Sequence, residues 1–183
     1  MTLHVALLRG INVGGHKAVA MADLRDLLAL LGFEDVRSLL ASGNLLFRSR
    51  AHTPAQLERM LVAAAWQQLG LRADFFVRSA QAWHALVAGN PFPREAEADP
   101  SHHVVMLFAR APSPQRVRAL ASAVTGPERV SVRGRHAYAI YPNGIARSHL
   151  TSSLIEGTLG VRVTARNWNT VLKLAAACAQ DAT

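Results

Sequence analysis

Cysteine is nearly absent. Cys178 stands alone, which excludes an internal disulfide framework and fits a reducing compartment. Lysine occurs only at Lys17 and Lys173. No apolar run approaches the roughly 18 residues of a membrane span, and Met1 to Arg9 shows no basic stretch followed by an apolar one. A cytoplasmic protein with no membrane partner is expected. The histidines show no metal-ligand spacing, so no metal site is expected, and no cofactor can be named. No carboxylate pair is placed for general acid–base work. Cys178 lies on an alanine-rich helical face without neighbouring bases, and reads as a buried thiol rather than a nucleophile. Half of the 183 residues are hydrophobic, enough for one sizeable domain or two small ones without staples.

What the chain has is positive charge, 20 basic residues against 12 acidic, for a net +8. That sign favours phosphates, nucleotides or nucleic acid as partners. The excess is almost all arginine and is scattered rather than blocked, so composition alone also accounts for it.

The most informative stretch is Ala6 to Lys17, ALLRGINVGGHK. A short apolar run, Leu3 to Leu8, fits a buried strand and leads into Arg9, Asn12, Gly10, Gly14 and Gly15. Glycines there serve positive φ or close approach, and Arg9, Asn12 and Lys17 supply donors. The loop is no phosphate-binding P-loop: His16 stands where the lysine belongs, and no Ser or Thr follows Lys17. It also lacks the spacing of a dinucleotide fingerprint. A binding loop on a rigid strand is the functional reading, and a tight strand exit is the structural one.

Helical spacing of Leu24, Leu27, Leu28 and Leu31 before Gly32 gives a first helix. Val36 to Leu40 and Leu45 to Arg48 form strands about the turn Ala41-Ser42-Gly43-Asn44. Thr53-Pro54-Ala55-Gln56 is a capping box that opens a helix ending at Gly70. Asp74 to Arg78 is a strand, and Ser79 caps a helix to about Val87. Gly89 to His102, with three prolines and no apolar periodicity, reads as a linker. The element order then repeats: Val104 to Ala109, a helix from Ser113-Pro114, a hairpin of Arg129 to Val132 and His136 to Tyr141, a helix capped by Thr151 or Ser152, Val161 to Ala165, and a last helix along Trp168, Val171, Leu172, Ala175 and Cys178.

An α+β fold follows, with two ferredoxin-like β-α-β-β-α-β halves, antiparallel sheets and an extra helix after each. The halves are residues 1–90 and 103–183, joined by 91–102. In each, the first and third strands should be central and the helices on one face. Topology then gathers two polar clusters. Arg9, Asn12, Gly14, Gly15, Ser42 and Asn44 share one edge of the first sheet. Asn143, Arg147, Ser148, Arg166 and Asn167 share one edge of the second. Ser42-Gly43-Asn44 and Asn143-Gly144 also have plain turn explanations. Asn167 or Asn169 can cap the last helix while Arg166 adds an anion-binding donor. Two donor-rich edges suggest that the clusters face one another across a cleft.

The same order suggests an RNA-recognition module, which needs stacking aromatics on its central strands. Leu3 to Leu8 has none, and in the second half Tyr138 and Tyr141 point to opposite faces.

The strings LLRGINVGG, MADLRDLLALLGFEDV, SGNLLF, NPFP, YPNGIARS and TARNWNTVLKL together resemble the bacterial family known as domain of unknown function 1697. The likeness runs from near the first residue to near the last. It implies an α+β fold of two ferredoxin-like halves and no known activity. The usual family pattern has a lysine where this chain has His149, so chemistry resting on that lysine would differ here. The functional expectation is a small anionic or phosphorylated ligand, such as a nucleotide, bound between the halves. The alternatives are a nucleic-acid-binding module that uses the arginine excess, and an interaction domain without a ligand. Neither a reaction nor an oligomeric state is legible.

Overall fold

The computed structural model describes residues 1–9, 11 and 19–180. The chain divides into two compact units. One comprises Met1–Leu86 with the chain from Leu174 onward, the other Val87–Lys173. Each holds a four-stranded antiparallel sheet with helices, so the fold is α+β in two similar halves.

The first unit contains β1 (Thr2–Arg9), α1 (Met21–Leu30), β2 (Glu34–Ser38), β3 (Asn44–Ser49), α2 (Pro54–Leu69), β4 (Asp74–Ser79) and the start of α3 (Ala80–Ala88). Its strands lie in the order β2-β3-β1-β4, with β1 and β3 central as the split β-α-β order requires. Ala6, Leu8, Leu45, Phe47, Phe75 and Val77 pack against Leu24 and Leu28 of α1 and Leu57 and Leu61 of α2. Leu3, Val5, Leu7, Leu46 and Phe76 on the opposite face are equally buried. Burial of both faces explains why β1 reads as an unbroken apolar run. Thr53 and Gln56 form the capping box reciprocally, and Gly70 ends α2 in the left-handed conformation, φ 59°.

The second unit contains α4 (Pro93–Ala98), β5 (His103–Phe108), α5 (Pro114–Ala123), β6 (Arg129–Arg133), β7 (His136–Ile140), a 3-10 turn (Ile145–Arg147), α6 (Ser152–Leu159), β8 (Val163–Asn167) and the start of α7 (Trp168–Ala179). The strand order β6-β7-β5-β8 repeats that of the first sheet. Val104, Met106, Phe108, Ala137 and Ala139 pack with Leu120, Ile155 and Leu159. His103, Val105, Leu107 and Tyr138 on the other face are also buried.

Three expectations shift. The stretch read as a linker contains α4, opened by Pro93 at its first turn and holding Ala96 in the interior. Six residues are too few for a periodic signal. β8 starts at Val163, not Val161, because Gly160 closes α6 with φ 66° and the chain needs two further residues to reach the sheet. Arg166 and Asn167 are therefore the end of the strand, paired with Val105 and Val104. Finally, the last helix does not belong wholly to the second half: the division falls inside α7, as it does inside α3. Among the described residues no helix is long and apolar enough to cross a membrane.

Candidate functional site

At the exit of β1 the hairpin turn of the first sheet closes directly on Leu8 and Ile11. Leu7 pairs with Asn44, and Leu8 donates its N–H to the Gly43 carbonyl at 2.8 Å. Gly43 takes φ 73°, and a Cβ there would lie 2.8 Å from Ile11 Cδ1 and 2.9 Å from Leu8 Cβ. Only glycine fits. In the same turn Leu40 is held at φ 61° with its side chain exposed, a conformation that costs a branched residue about 1–2 kcal/mol. Arg9, the last residue of β1, reaches Asp74 of the neighbouring strand at 3.5 Å. The expected gathering of Arg9, Ser42 and Asn44 at one end of this sheet is found. Gly10, Asn12, Gly14 and Gly15 lie outside the described residues.

The roles within that gathering differ. Asn44 is fully buried, and its amide donates to the Leu39 carbonyl at 2.8 Å and to Ser42 Oγ at 2.9 Å. It shapes the turn. Ser42 is at the surface, and the Arg9 side chain is about one-third exposed.

In the second unit the expected residues also collect at one end. The N-terminal end of β5 and the C-terminal ends of β7 and β8 lie together, with His103 opposite Ile140 and Val104 opposite Asn167. Asn167 caps α7, accepting from the Thr170 N–H at 3.0 Å. Arg166 donates to Thr164 Oγ1 at 3.1 Å and to the Ala165 carbonyl at 2.7 Å, and burial draws its guanidinium down to about 10, still cationic at neutral pH. Ser148 gives its hydroxyl proton to Glu128 and accepts the Leu150 N–H at 2.9 Å. That hydroxyl holds the Glu128 carboxyl below its usual range. Asn143 and Arg147 are exposed. Gly144 turns the chain at φ 83° against the ring of His102.

Two features at this unit escape a reading of the sequence. Asp99, His102 and Ser101 form a hydrogen-bonded trio: Ser101 Oγ donates to Asp99 Oδ1 and His102 Nδ1 meets Asp99 Oδ2, both at 2.6 Å. The Ser101 hydroxyl, then His102, hold the Asp99 carboxyl below its ordinary value. The trio sits in the stretch read as a linker, where a D-P-S-H run gave no signal. The second is a groove at the opposite end of the sheet, where Arg110 and Arg162 converge from distant parts of the chain.

His103, by contrast, is interior. Its ring lies 4.8 Å from Trp168, 6.2 Å from Phe92 and 6.3 Å from Tyr138. Tyr138 and Tyr141 are both buried, so this sheet offers no stacking platform for bases. Cys178 is a buried thiol in no disulfide, as its neighbours in sequence imply. Among the described residues no group of His, Cys, Asp and Glu could hold a metal ion.

Comparison with known proteins gives a family but no activity. A family model described as a protein of unknown function (DUF1697) matches residues 1–138. Among solved structures, the chain is similar to a conserved bacterial protein from Streptococcus pneumoniae, with 22% identity and a TM-score of 0.73, over 97% of this chain and 98% of that one. At that identity the likeness speaks for the fold. No curated protein matches.

Proposed function

The chain belongs to this family of proteins of unknown function, and from that premise we propose that it binds a small anionic or phosphorylated ligand at the glycine-rich end of its first sheet. The observation that carries the reading is the turn locked onto the end of β1: Gly43 leaves no room for a side chain beside Leu8 and Ile11, and Leu40 is strained beside it. Strain kept at the mouth of a loop is a hallmark of ligand-binding surfaces. Arg9 supplies the charge, steered by Asp74, and Asn12, Gly14 and Gly15 are the proposed partners from the loop itself. Asn44 acts by holding the turn. In the second unit, Asn143, Arg147 and Ser148 with Arg166 and Asn167 make a further proposed donor edge, of which Arg147 is the exposed cation.

Thermal denaturation against a panel of nucleotides and sugar phosphates tests this. A ligand at one hundred times its Kd adds about 2.7 kcal/mol to stability. At least one compound should raise the melting temperature, and Arg9→Ala should diminish the rise. A panel without effect, or an undiminished shift in the variant, defeats the reading.

A further inference from the structure

We propose that the second unit carries a separate site for a phosphate-bearing small molecule, in the groove between the exit of β5 and helix α6. The groove measures about 710 Å³, within the range of small-molecule sites. Arg110 and Arg162 line it together with Ser153, Glu156 and Gly157 of α6. A smaller recess of about 290 Å³ shares Arg110 and reaches Ser113 and Arg116 at the start of α5.

The charge in the groove is one-sided. Arg110 donates to the Gly160 carbonyl at 2.8 Å and Arg116 to the Thr158 carbonyl at 3.2 Å. These bonds satisfy the open carbonyls at the end of α6 and fix both guanidinium groups. Each uses one of five N–H donors. Neither arginine forms an ion pair among the described residues. Glu156, the acid in the groove, accepts the Val163 N–H at 2.8 Å and so is engaged at the start of β8. Two guanidinium groups thus border the groove and a third, Arg116, the adjoining recess, against one carboxylate, and arginine is the side chain best shaped for phosphate oxygens.

Gly157 points independently to an occupant. It lies inside α6, where glycine costs about 1 kcal/mol relative to alanine. Nothing in the chain requires it: a Cβ there would meet no atom within 4 Å, and its φ is ordinary. Its missing side chain leaves the wall of the groove open beside the arginines. The space, the fixed cations and the unexplained glycine together fit a phosphate ester of nucleotide size.

Calorimetric titration with inorganic pyrophosphate and with adenosine triphosphate tests the site, using the full chain. Saturable binding of either is expected, with one equivalent retained when the glycine-loop site is removed by Arg9→Ala. Arg110→Gln, which keeps a donor for Gly160, should weaken it about tenfold or more. Gly157→Leu should block it while the melting temperature holds or rises, so loss of binding is not loss of fold. Arg9→Ala should leave it intact, which separates this site from the one proposed at the glycine loop. Three results would overturn the proposal: no saturable binding of either probe, unchanged affinity in both groove variants, or tighter binding of a short single-stranded oligonucleotide with a steep salt dependence.

Discussion

Leu8 and Gly43 are bonded backbone to backbone at 2.8 Å, and a Cβ on the glycine would stand 2.9 Å from that of the leucine. Gly43→Ala therefore meets two penalties, about 1–2 kcal/mol for a left-handed residue and about 1–3 kcal/mol for overpacking. Gly134, at φ 56° with nothing within 4 Å of its would-be Cβ, meets only the first. Urea denaturation should show Gly43→Ala as the more damaging change. Equal losses would mean that Ile11 and Leu8 yield without cost.

Asn44 offers a sharper contrast. Its Nδ2 donates to two oxygens, the Leu39 carbonyl and Ser42 Oγ. Asn44→Ala removes a buried donor and should cost roughly 1–3 kcal/mol. Asn44→Asp is nearly isosteric but places a carboxylate against the Leu39 carbonyl in a fully buried position, and should cost more. An aspartate variant as stable as the alanine one would show that the turn opens to water.

Glu58 on α2 accepts the Val77 N–H at 2.9 Å and lies 3.5 Å from the Arg78 guanidinium, with both side chains largely buried. Glu58→Ala strips a buried cation of this partner and should cost about 3–5 kcal/mol. Glu58→Gln retains an acceptor for Val77 and should cost clearly less. Chemical denaturation of the two variants measures the gap.

His103 makes stability depend on pH. It is fully buried, and neither ring nitrogen has a hydrogen-bond partner. Burial pulls its pKa from 6.5 to about 4, with Glu95 pulling weakly the other way. The unfolded chain takes up this proton first. The contribution is therefore intact above about pH 6.5, declines as pH falls, and is lost by about pH 4, on the order of 3 kcal/mol in all. His4, also buried and shifted downward, acts with the same sign. His103→Phe should flatten part of this acid limb and raise stability at neutral pH, because the aromatic cage of Trp168, Phe92 and Tyr138 remains filled. Denaturation midpoints compared at neutral and mildly acid pH decide it.

Local signals carried most of the fold. Thr53 and Gln56, Gly70, Ser79, Ser113, Thr151 and Asn167 all act as caps because each partner lies within a few residues. Strand order followed from element order alone. Contacts between distant residues were another matter. Arg110 and Gly160 are fifty residues apart, so arginines that look scattered along the chain converge only once β5 and α6 are packed. Asn44 reads as a donor in a turn, and only its burial shows that the donors are already used. The six residues of α4 give no period to detect, and the two residues between Gly160 and Val163 displace β8 for a reason that no propensity encodes.

The division that falls inside α3 and α7 governs the order in which this protein can become complete. The first unit draws on the chain from Leu174 onward, some ninety residues beyond Leu86. During synthesis that unit can close only after the residues from Leu174 have followed, while the second, continuous in sequence, can close as soon as Lys173 emerges. Chaperone access in that interval would fall mainly on the earlier-made unit.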